Sequence, residues 1–236
     1  MAGFSRVLEY RENIDRLPGY DIALPPALRG LVIWYPAAHF TGGVPAHIGL
    51  RLHGQYAFGL SSKVEHGDGP EFSTSSMLLE VGLRGRIPVD PFEVGLSLSY
   101  GMHDYGVDAA KQNGVAIDPG IPSTGYRYLH AGLELRMQLG GLGLAFGGAL
   151  MPLLDVGDVQ KWFPHASGIG IEGNAEIGYA LGDSFDLFAM LSARRYAVSF
   201  DPKVADIEAG RALVGGMVDR YLHALIGVRF VPGRKP

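Results

Sequence analysis

From Ala46 to Ser61 the chain reads A-H-I-G-L-R-L-H-G-Q-Y-A-F-G-L-S. Every second residue is apolar or nearly so: Ala46, Ile48, Leu50, Leu52, Gly54, Tyr56, Phe58 and Leu60. Between them fall His47, Gly49, Arg51, His53, Gln55, Ala57, Gly59 and Ser61. Successive side chains of a strand point to opposite faces, so this segment has one greasy face and one polar or small face. Strands of globular proteins average about 5–6 residues. A tilted strand that crosses a bilayer needs about 9–11. The segment is long enough for the second case.

The same alternation returns at Thr74–Ile87, Phe92–His103, Tyr126–Leu139, Leu142–Met151, Ile169–Leu181, Phe185–Phe200 and Arg220–Val231. Ahead of Ala46, Leu28–Tyr35 reads as a strand stopped by Pro36, and Gly3–Tyr10 as a strand with neither face cleanly apolar. Short connections near Gly42, Pro88, Gly140 and Asp183 alternate with long ones near Gly19, Gly67, Gly114, Lys161 and Asp206. Short turns on one side and long loops on the other are the asymmetry of an up-and-down membrane barrel. The expected fold is therefore all-β, a transmembrane antiparallel up-and-down β-barrel. Ten strands are preferred, which puts both termini on the short-turn side; eight is the alternative. The expected organisation is an N-terminal segment, 1–45, contributing the first two strands, a core barrel, 46–231, and a tail, 232–236.

Composition bounds the alternatives. Hydrophobic residues make up 47% of the 236 and charged residues only 19%, against about 25% charge in ordinary soluble domains. No run approaches 18 apolar residues, so no segment reads as a transmembrane helix. A formal net charge of −4 gives no reason to expect nucleic-acid binding. The absence of cysteine removes disulfides and thiolate metal sites. The opening MAGFSRVLEYRENI has no apolar signal core. An exported protein would have lost its signal, or the chain is a fragment of a longer precursor.

Alternation alone does not say which face is outside, since a lipocalin-like barrel turns its apolar face inward. Three features favour apolar-out. The opposite face is rich in Gly, Ala and Ser, which suits a narrow lumen. Lys63, Lys111, Lys161, Lys203 and Lys235 all fall in loops or the tail. Aromatics gather near strand ends: Tyr100, Tyr105, Tyr126, Tyr128, Trp162, Phe163, Tyr196 and Tyr221 toward the long loops, and Trp34, Tyr35, Phe92, Tyr179, Phe185 and Phe230 toward the short turns. Two such sets are expected to form aromatic girdles at the two interfaces.

On these strands and loops the chain resembles the small β-barrels of the bacterial outer membrane, firmly over Ala46–Val231. The final strand, Ile226-Gly227-Val228-Arg229-Phe230, looks like the C-terminal aromatic signal read by the outer-membrane assembly machinery. It departs from that signal because Val-Pro-Gly-Arg-Lys-Pro follows the phenylalanine. The resemblance implies residence in the outer membrane, contact with its lipid, and a periplasmic domain or partner.

The inward charges balance. Arg51, Arg84, Arg86, Arg136, Arg194 and Arg229 face Glu80, Glu93, Glu134, Glu172, Glu176 and Asp186. With His53, His130 and His223 they are expected to form a polar lumen network. An unpaired charge in so confined a space is costly, so these residues should pair. The expected role is a membrane anchor, structural or surface-binding barrel with a largely plugged lumen. A small-solute pore is the alternative, and a barrel-embedded hydrolase comes third. No cofactor and no metal site are expected: the histidines lack ligand spacing, although His47 and His103 also point inward on this register. Ser99 and His103 lie four apart on one strand, about 13 Å at the strand rise, too far to pair directly. No catalytic residues are therefore assigned. The long loops Asp104–Thr124 and Asp201–Val218, with Val115, Ile117, Ile121, Ile207, Leu213 and Val214, are the other place where a partner could bind.

Overall fold

A computed structural model describes residues 2–14, 17, 19–22, 25–62, 72–108, 110–112, 115–117, 123–204, 206 and 213–232. The strands in chain order are β1 (Ala2–Arg11), β2 (Tyr20–Ile22), β3 (Pro26–Trp34), β4 (Ile48–Ser62), β5 (Phe72–Val89), β6 (Phe92–Val107), β7 (Ala110–Gln112), β8 (Val115–Ile117), β9 (Thr124–Leu139), β10 (Leu142–Asp155), β11 (Ser167–Ala180), β12 (Phe185–Ser199) and β13 (Gly216–Phe230). A short helix, α1 (Val159–Trp162), sits in a long loop. Ten of these strands form an antiparallel barrel in the order β13-β12-β11-β10-β9-β6-β5-β4-β3-β1, and β1 pairs back onto β13. The remaining three decorate the long-loop side. β2 folds onto β1, and β7 with β8 makes a separate hairpin.

The stagger of the barrel follows from the ladders. Partners traced from Ala27 through β4 arrive at Ser76 on β5. Traced the other way, through Ala2, Leu225, Met190, Glu176, Ala145, Arg136 and Glu93, they return to β5 at Pro88, twelve residues further on. Such a stagger requires strands tilted by about 35–45° to the barrel axis.

The apolar face is the outer one. Leu83, Leu98, Leu133, Phe146, Leu191 and Ile226 each leave more than half of their surface bare. A continuous apolar belt of this size on β3 to β6 and β9 to β13 is not tolerated by water and is satisfied by a bilayer. Glu80, Arg194, His53 and His223 on the opposite face are almost completely enclosed.

Several boundaries differ from the sequence expectation. Ala46 and His47 belong to a 3-10 turn, Val44–His47, so the strand begins at Ile48. The link from Tyr35 to His47 carries two such turns and is not tight. β6 continues to Val107, β9 starts at Thr124 and β13 starts at Gly216. These ends rise beyond the apolar belt because their inward residues pack in the upper lumen. The loop around Gly67 with Lys63, Gly114, Ile121, Ile207 and the tail from Gly233 lie outside the described residues.

The aromatic expectation needs the larger correction. Trp34, Phe92, Tyr179, Phe185 and Phe230 do ring the short-turn end on the outside. Toward the long loops only Tyr100 of the expected set faces out. Tyr105, Tyr126, Tyr128, Tyr196 and Tyr221 are buried inside the barrel. Phe163 stacks on Phe200 with ring centroids 3.8 Å apart, covering the same end. The physical reason is parity. Tyr105 shares its face with His103, Tyr126 and Tyr128 with His130, Tyr196 with Arg194, and Tyr221 with His223, and these faces point inward. The apolar core thus fills the long-loop half of the lumen, with Phe4, Leu8, Met151, Val198 and Met217 among the tyrosines.

Candidate functional site

The lumen is occupied by three stacked groups of polar side chains. The middle one is built around Glu80 of β5, which is completely buried. Arg194, from β12 across the barrel, donates to Glu80 Oε1 at 2.8 Å and also to Glu172 of β11. Its other terminal nitrogen donates to Tyr128 Oη at 2.7 Å and Tyr196 Oη at 3.2 Å. Tyr128 in turn donates to Glu80 Oε1 at 2.9 Å. Arg51 Nη1 donates to Glu80 Oε2 at 2.8 Å, and His53 Nδ1 lies 3.0 Å from the same oxygen. Gln55 Nε2 and His223 Nε2 are 3.0 Å apart beside them. Charge-assisted bonds of this kind are the strong ones, and enclosure keeps water from competing.

The upper group lies under the long loops. Arg6 of β1 grips Asp219 of β13 with two parallel bonds, Nε to Oδ1 at 2.9 Å and Nη2 to Oδ2 at 2.8 Å. Tyr126 and Tyr221 donate to the same carboxylate at 2.9 and 3.0 Å. The Arg6 guanidinium lies 3.8 Å over the Tyr105 ring. His103 stands 3.1 Å from Tyr196 Oη, joining the upper group to the middle one.

The lower group opens toward the short turns. Arg84 donates to Glu134 at 2.8 Å, to Glu93 at 3.4 Å and to Tyr35 Oη at 3.2 Å. Arg136 shares Glu134 at 3.2 Å, and Arg86 lies 4.2 Å over the Tyr35 ring. On the other wall, Arg229 donates to both oxygens of Glu176 at 2.6 Å and comes within 3.9 Å of Asp186.

Compared with protein-family models and with curated protein sequences, the chain matches none. Among solved structures it is similar to the outer membrane protease OmpT from Escherichia coli. That match has a TM-score of 0.53, covers 98% of this chain and 93% of that one, and has 8% sequence identity. The outer membrane protein OprG from Pseudomonas aeruginosa matches with a TM-score of 0.32, covering 97% of this chain and 92% of that one at 10% identity. The fold is that of an outer-membrane β-barrel. At these identities the likeness is one of fold.

Inside this outer-membrane barrel the expected network divides. Arg51, His53, Glu80, His130, Glu172, Arg194 and His223 meet in the middle, whereas Arg84, Arg86, Glu93, Glu134 and Arg136 form one lower cluster and Glu176, Asp186 and Arg229 another. Arg6, Asp219 and the tyrosines were missed, although Asp219 and Tyr221 share the inward parity of His223. Arg6 is harder to read, because on β1 it lies between Phe4 and Leu8 on a face that looks apolar.

Two constellations of reactive type merit description. Ser99 is the direct cross-strand partner of His130. Yet Ser99 Oγ and His130 Nδ1 each lack a hydrogen-bond partner, so no serine–histidine bond activates the hydroxyl. Ligand atoms of Glu80, His130 and Glu172 lie within 4.8 Å of one another. The Arg194 guanidinium already bridges the two carboxylates, and a divalent cation there would face its positive charge.

Outside the strands, Lys203 donates to Asp201 at 2.5 Å and holds its carboxyl below the usual aspartate range.

Proposed function

We propose that this chain is a bacterial outer-membrane barrel with a sealed lumen, serving as an anchor or binding platform in the envelope. Support comes from one observation above all. The two upper tiers, Arg6–Asp219 with its tyrosines and Glu80–Arg194–Glu172, cross the lumen as continuous hydrogen-bonded layers with almost no exposed surface. A conducting pathway would have to separate buried, paired charges, each several kcal/mol costly to leave unpaired. The fold supports placement in the outer membrane, contact with its lipid, and delivery by the assembly machinery through the β13 strand. OmpT is named a protease. Protease chemistry is not adopted for this chain, because Ser99 and His130 sit beneath the tyrosine layer with no bond between them.

The test is conductance of the refolded protein in planar bilayers. The expected result is electrical silence for the native chain, with openings appearing in the double substitution Glu80→Ala and Arg194→Ala. Discrete openings of the native chain would instead establish the small-solute pore.

A further inference from the structure

The link from β3 to β4, residues 36–47, reads P-A-A-H-F-T-G-G-V-P-A-H and contains no Lys, Arg, Asp or Glu. Within it Phe40 leaves 91% of its surface bare and Val44 76%, more than Leu83, Leu98 or Ile226 of the belt. Two apolar side chains standing clear of the protein on a charge-free segment suit lipid better than water.

The residues ahead of the link decide where it lies. Tyr35 turns inward, its ring beside Gly49 and its hydroxyl accepting from Arg84. Trp34 faces the other way, in the outer girdle, and its indole N–H donates to His39 Nε2 at 3.3 Å. The first 3-10 turn, Pro36–His39, is thereby held against the outer wall and not across the lumen mouth. Phe40 follows with its ring edge-on to His39, centroids 6.2 Å apart. The second turn, Val44–His47, lies against the foot of β5, whose Ile87 and Val89 are also bare. The link therefore continues the apolar belt at its short-turn margin. Its backbone is suited to that place, since groups near hydrocarbon must be satisfied internally. Ala38 N–H donates to Tyr35 O at 3.2 Å, Phe40 and Thr41 to Ala37 O at 3.1 and 2.9 Å, and Ala46 to Gly43 O at 3.2 Å. Pro36 and Pro45 have no N–H to satisfy.

We propose that residues 36–47 form a foot lying in the lipid interface on the short-turn side, with Phe40 and Val44 inserted at the acyl boundary. Lipid is the occupant because the surface is continuous with the belt and offers little for a polar partner to recognise. Thr41 Oγ1 already donates to Gly42 O, and His39 Nε2 already accepts from Trp34. The foot rests on the membrane reading of the barrel and is independent of the sealed lumen.

The chain has no cysteine, so single thiols report cleanly. Phe40→Cys, Val44→Cys, Leu83→Cys and Asp183→Cys are each labelled with nitrobenzoxadiazole in full-length protein. They are refolded into phosphatidylcholine nanodiscs, which leave both membrane faces open to solvent, and folding is confirmed by heat-modifiable gel migration. The quenchers are aqueous iodide, a phosphatidylcholine with a nitroxide near its headgroup, and one with a nitroxide deep in its acyl chain. Positions 40 and 44 should lose the iodide quenching seen at 183 and respond most to the shallow nitroxide, whereas 83 responds most to the deep one. Adding Phe40→Ser to Val44→Cys should restore iodide quenching at 44, which separates insertion of the foot from insertion of the dye. Iodide quenching at 40 and 44 equal to that at 183 would overturn the foot. So would protection from all three quenchers, which means that protein covers the link, or no response to Phe40→Ser. These failures, with deep quenching intact at 83, leave the membrane reading standing; loss of deep quenching at 83 overturns both.

Discussion

Glu80 carries a full set of acceptor contacts in a place without water: two guanidinium groups, an imidazole and a phenol converge on its two oxygens. Removing the Arg194 guanidinium takes the ion pair from Glu172 and one of two guanidinium partners from Glu80, so Arg194→Met should destabilise the barrel by about 3–5 kcal/mol, read from urea unfolding in detergent. Neutralising the stranded partner as well, with Glu172→Gln added, should recover part of that loss. No recovery would mean that Arg194 acts through packing and not through charge. Glycine has a specific use at this scale. Gly101 pairs across the ladder with Tyr128, and a β-carbon at Gly101 would meet the Tyr128 ring at 2.3 Å. The ring lies flat over the glycine and so reaches Glu80. Gly101→Val should push the phenol off Glu80 and cost about 1–3 kcal/mol for the broken buried bonds. The small residues of the inner face were read from sequence as the lining of a narrow lumen. Here, as at Gly170 beneath Tyr196 and Gly227 beneath Phe188, they are the floor on which large side chains rest.

Among the elements, the outer face obeys period two so strictly that a single charge should be felt. Leu83 is outward on β5, away from the rims. Leu83→Arg should cost about 2–4 kcal/mol if the site lies near the bilayer midplane. The equivalent change at the rim, Phe230→Arg, should cost about 0–1 kcal/mol, and equal effects would contradict the placement of the belt. This regularity is why most of the fold was legible in the chain. One buried face and one lipid face fix the register of β4 to β6 and β9 to β13, since a one-residue slip exchanges them. Legibility failed where the rule weakens. On β1 the inward face carries Phe4, Arg6 and Leu8 and the outward one Gly3, Ser5 and Val7, so hydrophobicity does not separate them. Near the long loops, tyrosine satisfies two physical roles, an interfacial girdle and a lumen hydrogen-bond donor, and composition alone does not choose between them. Their parity with His103, His130, Arg194 and His223 does.

For the molecule as a whole, a barrel with an apolar belt should be β-rich and heat-modifiable in detergent and should aggregate without it. A folded, monomeric protein in plain buffer would defeat the membrane assignment. The lumen residues named from sequence were found by a charge count along inward faces, but that count could not reveal which of them meet. The stagger of twelve residues around the barrel brings Arg194 to Glu80 and leaves Arg229 to Glu176, and it is set by ladders between strands far apart in the chain. The clearest case is Arg6 with Asp219. They lie on the first and last barrel strands, 213 positions apart, and both are wholly enclosed. Contacts of such separation form late, because a long loop must close before they reward it. Until β13 is laid down, Arg6 has no carboxylate to hold, and the tyrosines around it have no shared acceptor. The ion pair therefore acts as a clasp on time as well as on space: a chain stopped short of Asp219 should remain an open, protease-sensitive sheet, however complete its other strands.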